Sequence, residues 1–350
     1  MEEKTLNFAS IFLVILAALL FFLLPYFPKL HIKEEEAREA WLAQEEFAAQ
    51  QMEMQSLEIR KDTDVSTGPE GQLTLKLPEN IDGSMVEVTN DYVTQTIRVQ
   101  IPGADENYFE NEPIVGSSNH IDNLSYARKG DVGILEIGMD RVYELDMSYG
   151  ENNCYYNFLT PQEVYDKVVV IDAGHGGRAP GATKQGVKEK DIDLAIALQL
   201  KTIFEQSDEN IGVYFTRTDD SNPTFDQRVQ LANKAGANLF ISIHNNSTGS
   251  GRMSATNGTQ VMYDETSEKS RVFARICLEE VTAAIGSTDK GLVEGDSIYI
   301  IRTSEVPVAL IEVGFMTNRE ELELLKTEDY QRKTAQGIYN AILRAFEEGY

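Results

Sequence analysis

Cysteine is scarce in this chain of 350 residues, which contains only Cys154 and Cys277. The two lie far apart in the sequence and outside any CxxC pair, so a disulfide framework and a thiolate metal site are both disfavoured. The sequence leaves open whether the two cysteines form a single disulfide between two domains.

Basic residues are also few. Lysine and arginine total 31 against 57 acidic residues, which gives a formal net charge of −26. Nucleic acid binding depends on clustered basic residues, so this composition argues against a nucleic acid partner. Hydrophobic residues make up 42% of the chain, which predicts folded cores rather than a disordered chain. The length allows two ordinary domains and additional segments.

Only one long apolar run is present, at the N-terminus. Residues 5–28 carry no charge and are numerous enough to cross a bilayer as a helix. We assign residues 1–33 to an N-terminal transmembrane helix that acts as an uncleaved signal anchor. A cleaved signal peptide is the main alternative, but the leading MEEK is not a basic n-region and Pro25 and Pro28 flank the end of the run.

Residues 34–61 are rich in Ala, Glu, Gln and Leu, which are good helix formers, and we predict a helical acidic stalk there. Trp41, Phe47 and Met54 follow one another at nearly sevenfold spacing, which is typical of a coiled-coil seam. A solvated spacer explains the segment equally well, because it holds too few heptads to decide.

The region from residue 62 to 160 changes character. Short runs that alternate apolar and polar residues, such as QLTLKL and TQTIRVQI, are separated by clusters of Gly, Pro, Asn and Asp. Period-two alternation with frequent turns predicts an all-β sandwich domain. No motif in this region indicates catalysis, and His120 falls in a predicted surface loop.

Strands alternate with helices from about residue 167 to residue 350, which predicts an α/β catalytic domain with a mostly parallel twisted sheet flanked by helices. The predicted strands are VVVID (168–172), GVYFTR (212–217), LFISI (239–243), TQVMYD (259–264), SIYIIR (297–302) and VALIEV (308–313). The predicted helices cover residues 190–206, 224–237, 267–286 and 329–349.

Two of the four histidines follow predicted strands: His175 comes just after VVVID and His244 directly follows LFISI. Glu312 lies near the end of VALIEV, where a buried carboxylate is costly unless it is paired, protonated or near a cation. Carboxyl ends of parallel strands meet at one edge, so these side chains should converge there. With Glu189 they supply two imidazoles, a ligating carboxylate and a base, as in hydrolytic zinc sites.

Each of these residues also has a simpler explanation when it is taken alone. His175 sits between glycines and is compatible with an ordinary turn, while His244 is compatible with a hydrogen-bonded core histidine. Glu189 precedes a predicted helix, where the helix dipole favours an acidic residue. The convergence of the set is what favours a metal centre.

Six segments occur in order between residue 167 and about residue 348: VVVIDAGHGGRAPGA, GVKEKDIDLAIAL, FTRTDD, RVQLANKAGANLFISIHNN, GTQVMYD and PVALIEVGFMTNREELELL. As a set they resemble the zinc-dependent N-acetylmuramoyl-L-alanine amidases of the Amidase_3 type. The resemblance implies that one Zn²⁺ ion is bound by His175, Glu189 and His244, and that Glu312 is the catalytic carboxylate.

The resemblance extends to four further positions. Arg217, Arg228 and Asn233 are expected to have structural roles, and Asn246 to contact substrate. The region 62–160 resembles, in position and strand pattern, the AMIN-type β-domains that precede some amidase domains. Such a domain would bind a cell-wall polymer or a component of the division site.

The implied activity is hydrolysis of the amide between N-acetylmuramic acid and L-alanine in peptidoglycan, for cell-wall remodelling or cell separation. Two alternatives remain: a catalytically silent wall-binding scaffold, and a zinc peptidase that cuts stem peptides. The substrate places the catalytic domain on the extracytoplasmic side of the cell membrane, anchored by a single span. Lys4 before the span and Lys29 and Lys33 after it mildly oppose that orientation.

Some relatives carry a long insertion whose helix plugs the zinc site. Here the strand that ends at 262–264 is followed almost at once by the predicted helix 267–286. We therefore expect a site that no inserted helix blocks, with regulation through the β-domain, the tether or a partner.

Overall fold

The computed structural model describes residues 37–44, 54–59, 72–116 and 119–350. Residues 37–44 are helical and are named helix α1. The predicted transmembrane segment and the seam position Phe47 lie outside the described residues. Among the residues that are described, no helix is both long enough and apolar enough to cross a membrane.

Among the described residues of the N-terminal half, nine strands form two antiparallel sheets. They are β1 (Gln55–Leu57), β2 (Leu73–Lys76), β3 (Glu87–Asp91), β4 (Thr96–Pro102), β5 (Val115–Gly116), β6 (Ile121–Lys129), β7 (Val132–Met139), β8 (Glu144–Tyr149) and β9 (Asn153–Leu159). One sheet has the order β1-β6-β7-β4-β3, and the other has the order β5-β2-β9-β8. Short helices α2 (Tyr108–Asn111) and α3 (Pro161–Val164) accompany them.

The two antiparallel sheets share one hydrophobic cluster, which includes Leu73 and Tyr156 from one sheet and Ile97 and Leu135 from the other. The alternation in the sequence is responsible, since in β4 and β9 every second side chain is buried. The interpretation of this region as an AMIN-like domain stays a prediction.

The stalk prediction was wrong at its C-terminal end. Gln55, Ser56 and Leu57 form strand β1, which pairs antiparallel with Tyr126, Ser125 and Leu124 of β6. Leu57 and Ile59 pack against the hydrophobic cluster of the two sheets. Burial of these apolar side chains and pairing with an open sheet edge therefore outweigh the local helix propensity.

Six strands of the C-terminal half form the central sheet. They are β10 (Lys167–Ala173), β13 (Ile211–Phe215), β14 (Leu239–Asn246), β15 (Thr259–Tyr263), β16 (Asp289–Glu294) and β17 (Val308–Phe315), while β11 (Thr183–Lys184) and β12 (Val187–Lys188) make a separate hairpin. The order is β13-β10-β14-β17-β15-β16, and only the β15–β17 pair is antiparallel among these neighbours. The sheet is therefore mixed but largely parallel.

Helices cover both faces of the central sheet. They are α4 (Glu189–Glu205), α5 (Phe225–Lys234), α6 (Glu268–Ile285), α7 (Tyr299–Thr303), α8 (Arg319–Leu325) and α9 (Glu328–Glu347). Val169 and Ile171 of β10 pack in the cluster that contains α4, α6 and α9, whereas Val168 and Val170 pack in the cluster with α5 and α7. Burial on both faces explains the unbroken apolar run of β10.

The strand predicted for SIYIIR was wrong, because Tyr299–Thr303 is helical. Ile300 and Ile301 are buried in the cluster with α5, and a short apolar run fits a helix turn as well as a strand. The edge of the sheet is formed instead by β16, whose sequence DKGLVE begins with charged residues and a glycine.

Candidate metal centre

The chain topology brings the predicted site residues to one edge of the central sheet. His175 follows β10, His244 lies near the end of β14, and Glu312 lies in β17 directly opposite His244 in the strand register. Glu189 is the first residue of α4. The carboxyl ends of three parallel strands thus converge, as the sequence predicted.

Three donor atoms form a compact face. His175 Nε2 lies 3.1 Å from Glu189 Oε1 and 3.1 Å from His244 Nδ1, and the latter two atoms are also 3.1 Å apart. Ligands held about 2.0–2.1 Å from a tetrahedral zinc ion are separated by about 3.3 Å from each other. The spacing and chemistry of these three donors therefore fit a single metal ion.

Asp193 is a fourth member of this cluster that the sequence analysis missed. Its carboxylate can be grouped with His175, Glu189 and His244, with all ligand atoms within 4.8 Å of one another. Asp193 Oδ1 accepts a hydrogen bond from Asn245 Nδ2 at 2.7 Å, while Asn245 N donates to Glu189 Oε1 at 3.0 Å. Burial and the charge of Glu189 raise the pKa of Asp193 well above its usual range. Its position one helical turn after Glu189 was the available signal.

Backbone conformation lets the ligands approach each other. His175 itself has a left-handed φ of 57°, which a turn between glycines accommodates. A Cβ at Gly174 would lie 2.3 Å from the His244 ring, and one at Gly181 would lie 2.6 Å from Glu189 Oε2. Glycine is therefore required at both positions by close approach to ligands.

Arg228 is fully buried and holds the loop that carries His175. Its guanidinium donates to Asp172 Oδ1 at 2.6 Å, to the Ala173 carbonyl at 2.8 Å and to the His175 carbonyl at 2.7 Å. Asp172 also accepts hydrogen bonds from the hydroxyls of Thr216 and Ser242, each at 2.6 Å. Burial would raise the pKa of Asp172, but the charge of Arg228 and these bonds lower it to about 2.

Arg217 has a similar role for the neighbouring carbonyls, donating to Ala173, Gly174 and Lys190 at 2.9, 2.7 and 2.9 Å. Asn233 lies elsewhere, where it donates to the Thr303 carbonyl and accepts from the Glu305 N–H. These contacts agree with the structural roles expected for Arg217, Arg228 and Asn233.

Glu312 is half-buried, and one of its carboxyl oxygens is enclosed and unpartnered. Within the part of the chain that the structure describes, its Oε2 has no hydrogen-bond partner. Burial and the charge of Glu189 raise the pKa of Glu312 to about 8, because together they exceed the opposing effect of His175. A carboxyl with a free oxygen and a pKa near neutrality can both accept and release a proton, so Glu312 is suited to proton transfer.

Asn246 is half-buried two residues beyond His244, and its Nδ2 donates to Gln260 Oε1 at 3.1 Å. Gln260 in turn lies opposite Glu312 in the β15–β17 register. The substrate contact expected of Asn246 stays a prediction.

Glu39 of α1 also reaches this site, which the sequence analysis did not anticipate. Its Oε1 lies 2.8 Å from His175 Nδ1. Burial opposes ionisation of Glu39, but its bond to His175 and the charges of both histidines outweigh burial and lower its pKa. Burial lowers the pKa of His175, while Glu189 and Glu39 raise it to well above its usual range.

Two other expectations concern the surroundings of the site. Between β15 and α6 lie only residues 264–267, so this connection holds no inserted helix. Cys154 and Cys277 are both free and buried, in different hydrophobic clusters, so they do not form a disulfide.

Comparison with known proteins gives one family match. The family model Amidase_3, described as N-acetylmuramoyl-L-alanine amidase, matches residues 169–344, which is half of the 350-residue chain. These residues span the central sheet from β10 to β17 and every donor of the metal-binding face.

Curated relatives from Bacillus subtilis align over about half of the chain. The uncharacterized protein YqiI is 35% identical over 183 residues, which cover 52% of this chain and 85% of that protein. A sporulation-specific N-acetylmuramoyl-L-alanine amidase is 33% identical over 178 residues, covering 51% of this chain and 68% of the relative.

A solved structure shows a similar fold. The N-acetylmuramoyl-L-alanine amidase from Clostridium difficile 630 is 30% identical, with a TM-score of 0.50, and the similarity covers 53% of this chain and 98% of that one. The likeness therefore extends over about half of this chain and over nearly all of the solved chain.

Proposed function

The chain belongs to the Amidase_3 family of N-acetylmuramoyl-L-alanine amidases, and from this premise we propose that it is a zinc-dependent enzyme that cleaves the amide between N-acetylmuramic acid and L-alanine in peptidoglycan. The observation that carries the proposal is the face of three donors, each pair 3.1 Å apart, with a carboxyl on the adjacent strand.

His175, Glu189 and His244 would hold the zinc ion. When bound, the ion would polarise the scissile carbonyl and lower the pKa of a water molecule. Glu312 accepts the proton of the attacking water through its unpartnered oxygen and then delivers it to the departing amine of L-alanine. Arg228 and Arg217 keep the His175 loop in place by binding its carbonyls, and Asn246 contacts the substrate beside Glu312.

Digestion of purified peptidoglycan by the full-length chain tests this proposal, with the products read by mass spectrometry. Wild type is compared with wild type in chelator, with Glu312→Gln, and with Glu305→Gln as an exposed control. We expect intact stem peptides with a free N-terminal L-alanine from wild type and Glu305→Gln only. The loss in Glu312→Gln should be about 10²-fold to 10⁴-fold, as for removal of a general acid–base group.

Other products identify the alternatives. Fragments cut within the stem peptide would indicate a zinc peptidase. Bound zinc with no release of any product would indicate a wall-binding scaffold. Either result would overturn the amidase proposal.

We also propose that the protein is anchored in the cell membrane by a single span, with its catalytic half on the extracytoplasmic side, and that the sheets of the N-terminal half bind the cell wall or a division-site partner. The uncharged run at residues 5–28 and the location of peptidoglycan outside the membrane support this topology. Protease treatment of intact spheroplasts should degrade the catalytic half, and full protection would contradict the proposed orientation.

A further inference from the structure

Glu39 of helix α1 is bound to a residue of the metal-binding face although the two are 136 positions apart in the chain. Its side chain is 21% exposed, and its Oε1 is 2.8 Å from His175 Nδ1. A carboxylate can only accept a hydrogen bond, so with Glu39 ionised this contact favours the His175 tautomer that carries its proton on Nδ1.

The tautomer matters because the two nitrogens of His175 face different partners. Nε2 is turned to Glu189 Oε1 and His244 Nδ1, and it is the nitrogen of the metal-binding face. In the neutral ring with its proton on Nδ1, Nε2 has the lone pair that a cation would bind. Glu39 is not among the described residues that can be grouped around one ion, which places it behind the ligand and not beside it.

The burial pattern of α1 shows that Glu39 is held there by a docked helix face. Ala43, one turn further on the same face, is only 2% exposed, whereas Trp41 on the other side is 59% exposed. The helix therefore lies on the protein with Glu39 and Ala43 inward, and the contact to His175 is part of that docking.

Electrostatic interactions link the docking of helix α1 to metal binding. In the metal-free site the Glu39 carboxylate is attracted by His175 and His244 and repelled by Glu189. A divalent cation held by the ligands would add to the attraction, and coupling between two binding events is reciprocal. Helix docking and metal binding should therefore favour each other.

We propose that Glu39 is a positioning residue for the metal ligand His175, so that docking of the α1 segment of the stalk and binding of the metal ion stabilise each other. A carboxylate that receives the second N–H of a ligating histidine orients the ring and raises its basicity. Loss of such a partner costs about 10-fold to 100-fold in metal affinity. This inference rests on the proposed metal site, and its test reads metal binding and ring protonation rather than amidase activity.

Zinc affinity of the full-length chain is measured by competition with a chelator. Glu39→Ala should bind zinc about 10-fold to 100-fold more weakly than wild type. Glu39→Gln, which keeps an acceptor oxygen but loses the charge, should fall between them. Ala43→Lys should reproduce the Glu39→Ala loss by displacing the helix, and Gln44→Ala, at an exposed position of the same helix, should match wild type.

Two spectroscopic measurements separate a positioning role from a general effect on folding. The ¹⁵N shifts of the His175 ring in the metal-loaded protein should report a proton on Nδ1 with a strong acceptor in wild type, and a weakened hydrogen bond in Glu39→Ala. The only tryptophan of the chain, Trp41, lies in the helix itself. Its fluorescence anisotropy should rise when zinc is added to the metal-free wild type and should stay constant in Glu39→Ala.

The outcomes distinguish the two proposals. If wild type binds no zinc, the proposed metal site fails and the inference falls with it. If wild type and Glu39→Ala bind zinc equally, the positioning role alone is overturned. Tighter binding by Glu39→Ala would also overturn it, since that result would mean that Glu39 competes with the metal for His175.

Discussion

Arg228 donates a hydrogen bond of 2.7 Å from its guanidinium to the backbone carbonyl of His175. The same buried guanidinium is paired with Asp172 at 2.6 Å, so the loop that presents this proposed metal ligand is bound to an ion pair inside the protein. The position of His175 therefore depends on a charge pair that is itself inaccessible to solvent.

Arg228→Met should destabilise the protein strongly. The substitution leaves Asp172 buried without its counter-charge, which typically costs about 3–5 kcal/mol in the free energy of unfolding. Arg271→Met serves as the control, because Arg271 pairs with Glu268 on the surface and such pairs contribute about 0–1 kcal/mol. Unfolding in urea measures both, and equal losses would contradict the role assigned to the Arg228–Asp172 pair.

The stability of the metal-free protein should depend on pH through Glu312. The pKa of this carboxyl rises from 4.5 to about 8 in the folded protein. Below pH 4.5 the carboxyl is protonated in both the folded and the unfolded protein, so its titration does not lower the free energy of unfolding. Between pH 4.5 and 8 the unfolded chain loses the proton first, so stability falls as pH rises.

Glu312→Gln removes this titration. In the presence of chelator, its Tm should exceed that of wild type by an amount that grows from pH 4.5 to pH 8. The other titrating groups are shared by both proteins and cancel in the difference. Curves of Tm against pH that run parallel would show that the folded pKa of Glu312 is not raised.

Gly174→Ala should weaken metal binding while leaving the fold intact. The new Cβ would lie 2.3 Å from Cε1 of His244, so the ring must turn away from the other two donors. Disturbing the orientation of a ligand costs about 10-fold to 100-fold in affinity. Gly249→Ala is the matched control, since nothing lies within 4 Å of a Cβ there. Chelator competition gives the affinities, and equal values would argue against close packing around His244.

Both thiols should be unreactive in the native protein. Cys154 and Cys277 are buried, and burial raises the pKa of each thiol. A thiol reagent such as DTNB should modify neither in buffer and both in urea, because the thiolate is the reactive form. Rapid modification of either cysteine in the folded protein would show that the hydrophobic cluster around that cysteine opens to solvent, contrary to this prediction.

Much of the C-terminal half could be predicted from local pattern. The apolar runs of β10, β14 and β17 are continuous because both faces of the sheet are covered, and the polar residues near their carboxyl ends meet at one edge. Glu312 could be identified from the sequence, because a carboxylate inside an apolar strand is costly to bury unless it is paired, protonated or near a cation. Asp172 in VVVID carries the same signal.

The contacts that escaped prediction depend on segments far apart in the chain. Strand β1 lies in a stretch with helix-forming composition and becomes a strand only because β6 offers an open edge. Glu39 is one of several acidic residues in its segment, and nothing local distinguishes it from the others. Its importance arises from the docking of α1, which short-range periodicity does not encode.

His244 and Glu312 occupy facing positions on neighbouring parallel strands. Adjacent strands are separated by about 4.8 Å because backbone hydrogen bonds set that spacing. The distance between the proposed ligand and the proposed base is therefore fixed by the ladder of the sheet and not by any loop. Surface connections around the site can lengthen or change sequence, and so alter which glycan strands gain access, without changing the spacing of His244 and Glu312.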